Sequence, residues 1–163
     1  MTTIAYKDGW LAADSCCSIG NYHTNSKKLY TVPNVGIVGF AGAGNAMFKI
    51  ADWWMEGCKG EAPTVDGDKG ESCIGVLVSR KGVFALFDGI HPMLIDDPQF
   101  AIGSGSDFAI SAMSLGKNAK EAVEHAMQFD VGTGGRVDAI YCPNYFKQSK
   151  TPKKTKNKKE KKK

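Results

Sequence analysis

The sequence has no apolar run approaching ~18 residues, which excludes a membrane-spanning helix. It has no basic segment followed by an apolar core at its start, so no secretory signal and a cytoplasmic location are expected. Its five cysteines, Cys16, Cys17, Cys58, Cys73 and Cys142, contain no C-x-x-C or zinc-type spacing. An odd count without such spacing argues against a disulfide framework or structural zinc and for reduced thiols. A cysteine nucleophile would need an activating partner, and no motif sets His23, His91 or His125 beside a cysteine. The glycine-rich stretch 39–44 lacks the Walker lysine and its following Ser or Thr, which speaks against nucleotide binding. Asp66, Asp68 and Glu71 do not follow the spacing of an EF-hand loop, so a solvated turn is expected there rather than calcium. Nothing calls for a cofactor.

What is present suits one globular domain. The 163 residues can bury a sizeable core, and 42% hydrophobic with 23% charged residues is ordinary for a folded chain. The net charge of +4 hides an asymmetry: ten lysines and one glutamate from Lys147 onward carry +9, which leaves −5 for the rest. We expect a folded domain over 1–146 and a disordered lysine-rich tail over 147–163, because such a composition cannot bury a core. A tail of this kind can bind polyanions without sequence choice.

Along the chain, Thr3 to Lys7 and Trp10 to Ala13 read as strands of a hairpin turning at Asp8-Gly9. Ser15 to Ser26 reads as a polar loop, followed by Lys27-Lys28-Leu29-Tyr30 and a turn at Pro33-Asn34. Val35 to Gly42 is a buried strand that opens, through glycines, into a helix over Asn45 to Glu56. Ala46, Met47, Ile50, Ala51 and Trp54 form its buried face and Gly57 its stop. Gly60 to Glu71 is a polar loop. Cys73 to Ser79 and Gly82 to Asp88 read as a second hairpin, and the segment with Pro92, Asp96, Asp97 and Pro98 as a loop. A helix bearing Phe108, Ala109, Ala112 and Met113 ends at Gly116. A capping box at Asn118 and Glu121 opens another that reaches Phe129. Arg136 to Cys142 is the last strand.

The chemistry gathers at the start. Thr2 is small enough for an aminopeptidase to remove Met1, leaving a threonine with a free α-amine. Such an amine has an unperturbed pKa of ~7.7–8.0 and can accept the proton of the hydroxyl on the same residue. A threonine with its own N-terminal amine is an activated nucleophile. The first hairpin returns the chain towards Thr2, which places Asp14 near it.

Four patches carry a resemblance. They are Thr2-Thr3-Ile4 with Ala12-Ala13-Asp14-Ser15, Gly39-Phe40-Ala41-Gly42-Ala43-Gly44, Gly103-Ser104-Gly105-Ser106, and Asp130-Val131-Gly132-Thr133-Gly134-Gly135. In this order they resemble proteasome β-type subunits and the bacterial HslV-type peptidase, both N-terminal-nucleophile hydrolases, over about residues 2 to 142. The resemblance implies an α+β fold, a four-layer αββα sandwich of two antiparallel sheets flanked by helices. Members carry two long helices where this sequence has room for one, so the first helix layer would be shortened. It also implies peptide-bond hydrolysis through a threonyl acyl-enzyme. Thr2 attacks, Asp14 and Lys28 (or Lys27, if the loop is counted differently) tune the charge, and the N–H of Gly42 binds the oxyanion. Ser104 bonds near the amine, and Asp130 with Thr133, in the place of a serine, orients that amine. Ser104 or Ser106 can alternatively be read as a helix N-cap, and the glycines of 39–44 as a plain strand-to-helix turn. The implied partners are a polypeptide substrate, a homo-oligomeric ring and an ATPase unfoldase. The rival readings are hydrolysis of a small amide, and a catalytically silent subunit whose basic tail binds nucleic acid or an acidic partner.

Overall fold

A computed structural model of the chain describes residues 1–142. The tail expected from 147, and the domain end expected at 146, lie outside the described residues. Strands β1 (Thr3–Lys7) and β2 (Trp10–Asp14) form the first hairpin, joined by Asp8 and Gly9, both with positive φ (51° and 81°). Two consecutive left-handed residues match the right-handed twist of the flanking strands, which is why Asp-Gly is favoured there. Next come β3 (Cys16–Ile19), β4 (Tyr22–Asn25), β5 (Leu29–Val32), β6 (Gly36–Gly42) and helix α1 (Gly44–Met55). Beyond a loop with one 3-10 turn lie β7 (Cys73–Ser79), β8 (Gly82–Phe87), β9 (His91–Ile95) and β10 (Gln99–Gly103). Helices α2 (Ser106–Ser114) and α3 (Ala119–Ala126) and strand β11 (Val137–Tyr141) complete the described chain.

Strands β10-β1-β2-β11 form one antiparallel sheet and β5-β6-β7-β8-β9 a second. Alternation along each strand assigns its two faces. Ile4, Tyr6, Leu11 and Ile102 of the first sheet meet Leu29, Ile37, Val76, Val78 and Val83 of the second in a core between the sheets. The opposite face of the second sheet, with Val38, Phe40 and Leu86, is covered by Met47, Ile50 and Trp54 of α1. The opposite face of the first sheet presents Ala5, Ala12 and Ala101 to α2 and α3. The order is helix, sheet, sheet, helix pair: the four-layer sandwich, with one helix over the second sheet. The expected buried face of α1 is buried at every named position. Gly57 follows its end at φ 81°, its N–H reaching Trp54 O at 3.0 Å. The capping box of α3 is formed, with Glu121 N–H on Asn118 Oδ1 at 3.0 Å and Asn118 N–H on Glu121 Oε2 at 2.9 Å. Among the described residues no helix is long and apolar enough to cross a membrane.

Two expected loops are strands. Residues 16–25 form the two-stranded β3–β4 ribbon, with Cys16 opposite Asn25 and Ser18 opposite His23. Most of its side chains are exposed on both faces, so no alternation marks it in the sequence. Residues 91–95 form β9 at the edge of the second sheet, where Pro92 is tolerated because an edge strand leaves some N–H positions unpaired.

Candidate active site

Asp14 is the fixed point of the site. It ends β2, and its carboxylate accepts four hydrogen bonds. Oδ1 takes Thr3 N–H at 2.8 Å and Lys28 Nζ at 2.9 Å; Oδ2 takes the N–H of Cys16 and of Gly134, each at 3.1 Å. The Lys28 and Asp14 side chains are only 2% and 0% exposed, so this is a buried ion pair whose lone pairs are satisfied. That satisfaction is the condition under which buried charges are tolerated. Lys28 is the residue before β5, and its Nζ also lies 3.4 Å from Met1 O. Lys27 points elsewhere, with its ammonium 5.2 Å from the centre of the Tyr30 ring. Of the two lysines, Lys28 is the one that reaches Asp14.

Thr2 is buried between this pair and a second network, and its hydroxyl donates to Met1 O at 2.7 Å. The second network centres on Asp130, in the loop after α3. Asp130 Oδ2 accepts from Ser104 Oγ at 2.7 Å and from Thr133 Oγ1. Thr133 Oγ1 also lies 2.6 Å from Thr3 Oγ1. A hydroxyl has one proton; Thr133 gives its own to Asp130, so Thr3 is the donor to Thr133. Ser104 likewise commits its proton to Asp130, and its oxygen stands 3.5 Å from Thr2 O. Partial burial alone would raise the pKa of Asp130. The hydroxyls of Thr133 and Ser104, the Gly132 N–H and the positive chain terminus outweigh it and hold the carboxyl below the ordinary aspartate range. Ser104 is not a helix cap: the N-cap of α2 is Gly105 and no side chain bonds there.

Backbone proximity explains the glycines around these groups. A Cβ on Gly103 would overlap the carbonyl of Thr2, and one on Gly105 would overlap the hydroxyl of Thr3. Glycine at these two positions is what lets the β10–α2 turn close on the N-terminal strand. Gly42, at the end of β6, pairs with Cys73 and has φ 146°, and a Cβ there would run into Ser72 O. Gly42, Thr2 and Ser104 line one open cavity of about 480 Å³.

The structure thus brings Thr2, Asp14, Lys28, Ser104, Asp130 and Thr133 into two linked networks and sets Gly42 on the cavity that Thr2 and Ser104 line. Sequence reasoning missed three neighbours. Thr3 extends the Asp130 network, a role hidden because it reads as an ordinary strand residue. His23 Nδ1 lies 3.7 Å from Cys16 Sγ and 3.1 Å from Ser18 Oγ, which only the unrecognised β3–β4 register brings about. Cys73 also lines the cavity. Its thiol is pushed up to about 12, by burial first and the Asp88 carboxylate second, so it is no thiolate nucleophile at neutral pH.

No protein-family model and no curated protein sequence matches this chain. Solved structures do. The chain is similar to Thiobacillus denitrificans BPH with a TM-score of 0.62 and 19% identity, covering 85% of this chain and 95% of that one. The same protein in complex with epoxomicin gives 0.61 at 19% identity, over 85% and 96% of the two chains. Eukaryotic HslV from Trypanosoma brucei gives 0.59 at 19% identity, over 85% and 97%. These matches define the class of fold: the αββα sandwich of the N-terminal-nucleophile hydrolases. Within that class, the chain has the fold of the HslV- and proteasome-type threonine peptidases, as the four sequence patches imply.

Proposed function

We propose that this chain is a threonine-type endopeptidase whose nucleophile is Thr2, exposed by removal of Met1. The observation that carries the reading is the convergence on Thr2 of a buried Lys28–Asp14 pair and the Ser104–Asp130–Thr133 network, beside a cavity that also holds Gly42. With Met1 gone, the Thr2 nitrogen becomes a basic amine, and Ser104, whose Oγ lies 3.5 Å from Thr2 O, and Asp130 are the groups we assign to orient it. The Met1 carbonyl, which now occupies the Thr2 hydroxyl and the Lys28 ammonium, gives way to the substrate.

The steps follow from those positions. Thr2 Oγ1 attacks the scissile carbonyl carbon while its proton passes to the Thr2 amine, directly or through water. The Gly42 N–H binds the tetrahedral oxyanion, the kind of preorganised donor such a step needs. Lys28 adds positive charge that favours the developing alkoxide. Collapse releases the leaving amine with that proton and leaves an ester on Thr2. A water that gives its proton to the same amine hydrolyses the ester. The amine and hydroxyl suffice for this chemistry without a cofactor. We extend the reading to a polypeptide substrate, a homo-oligomeric ring in the cytoplasm and an ATPase unfoldase that feeds it, on the strength of the resemblance in motifs and fold.

The test is cleavage of fluorogenic peptides with and without an epoxyketone directed at N-terminal threonine, followed by mass spectrometry. Active protein should lack one methionine residue and carry the inhibitor on Thr2. Thr2→Ala should be inactive and Thr2→Ser partly active. Full cleavage by homogeneous protein retaining Met1, or by Thr2→Ala, overturns the reading.

A further inference from the structure

Among the side chains that line the cavity on which Thr2 opens, one negative charge has no cation beside it. The cavity's ionisable side chains other than thiols are two acids, Glu71 and Asp88, and none of its described lining residues is Lys, Arg or His. Glu71 is already engaged. Its carboxylate accepts from Lys49 Nζ at 2.9 Å, Asn45 Nδ2 at 3.0 Å and the N–H of Asp66 at 3.1 Å. Asp88 has no cation paired with it among the described residues, and no hydrogen bond engages its carboxylate there.

Asp88 is also held in place. It begins the tight turn between β8 and β9 at φ 50°, a left-handed conformation that aspartate and asparagine tolerate better than other side chains. The turn is clamped onto α1: the buried Trp54 indole N–H donates to Gly89 O at 2.9 Å, and Gly89 N–H reaches Leu86 O at 3.2 Å. Gly89 sits so close to Ile50 and to Cys73 Sγ that a side chain there would overlap the Ile50 methyls. The carboxylate is therefore mounted on a rigid turn, and its field is felt by Cys73 on the same wall.

We propose that Asp88 makes this cavity selective for a cationic side chain, so that the peptidase prefers substrates presenting Arg or Lys beside the scissile bond. This rests on the reading of Thr2 as the nucleophile. An extended substrate whose carbonyl sits at Thr2 Oγ1 directs a neighbouring side chain into the space bordered by Val65, Ile74 and Asp88. The apolar walls suit the methylene stem of Arg or Lys, and the single unpaired carboxylate suits its charged end. Glutamate in the same place would meet two carboxylates.

The test compares two fluorogenic peptides identical except for Arg or citrulline before the scissile bond. Citrulline keeps the shape and removes the charge. The wild-type protein should show kcat/KM about two- to fivefold higher for the arginyl peptide, the order expected of a charge pair made by an exposed carboxylate. The ratio should fall as ionic strength rises. Asp88→Asn, conformationally matched, should bring the ratio near parity. Asp97→Asn, an exposed acid beyond β9 at the far end of that strand pair, should keep it. Equal rates in the wild type, or an unchanged ratio in Asp88→Asn, overturns the inference. If neither peptide is cleaved while epoxyketone still labels Thr2, this inference falls alone. If neither is cleaved and Thr2 is not labelled, both readings fall.

Discussion

Asp14 and Lys28 neutralise each other in a site that water hardly reaches, and this fixes what their removal does. Taking away one member of a buried pair leaves the other uncompensated, at a cost of ~3–5 kcal/mol. Lys28→Met should therefore lower stability in chemical denaturation by about that amount, as well as abolish peptide turnover. Lys27→Met, which loses only an exposed ring contact, should stay within about 0.5 kcal/mol of the parent. From residue types alone the two charges look removable without harm to the fold; their burial and the four donors on Asp14 say otherwise. Asp130 gives a prediction of a different kind. Its folded pKa is depressed, so the stability it contributes is present above the ordinary aspartate range and is lost as pH falls through the lowered value. It stays ionised across the working range, so under the proposed mechanism the acid limb of kcat/KM should come from the Thr2 amine. A carboxylate beside an ammonium favours the charged form. Asp130→Asn, which keeps an acceptor for Ser104 and Thr133, should move that limb to lower pH; an unmoved limb would mean that Asp130 does not face the amine.

Elements differ in how plainly their sequences announce them, and the difference is one of faces. Strands with one buried and one covered face, such as β1, β2, β7 and β8, carry alternation or continuous apolar runs, and α1 and α3 carry buried stripes and caps. The β3–β4 ribbon buries neither face and β9 contains a proline at an edge, so neither prints a period. The candidate residues that the structure gathers near the N-terminus, Thr2, Asp14, Lys28, Ser104 and Asp130, could be picked out in the sequence because each is a particular residue type in a particular order. The His23–Cys16 contact and the placing of Asp88 depend on pairings that no local pattern encodes. The first sheet shows what packing adds. Ala101, Ala5, Ala12 and Ala139 lie side by side across its four strands, under the alanines of α2 and α3. Such small residues set how closely the helix pair approaches the strands that carry Thr2 and Asp14. Ala12→Leu forces extra methylenes into this contact and should destabilise by about 1–3 kcal/mol. Because β2 ends at Asp14, it should also reduce peptide turnover at temperatures where the fold survives. A variant with parental midpoint in denaturant would show that the layer is loosely packed.

At the scale of the whole molecule, the sandwich closes before the basic tail begins. The last strand of the first sheet ends at Tyr141, and Cys142 N–H bonds Gly9 O at 2.9 Å, with Ile140 and Cys142 packed on the core between the sheets. No large apolar residue follows Phe146, and the charge from Lys147 onward is +9 against −5 for the remainder. Folding and chemistry should therefore reside in the body, and attraction to polyanions in the tail. A chain cut after Phe146 should keep its thermal midpoint within a few degrees and its kcat/KM on small peptides within about twofold, since the composition it loses offers no large apolar residue to a core. The intact chain should bind duplex DNA or heparin with an affinity that falls steeply with salt. The slope of log K against log salt is about −0.9 per phosphate neutralised, so several lysines acting together give a slope of several units. The cut chain, with an acidic body, should show no such binding. Aggregation or loss of peptide cleavage on truncation would place part of the fold beyond Phe146, and salt-dependent binding that survives truncation would move the polyanion site onto the body.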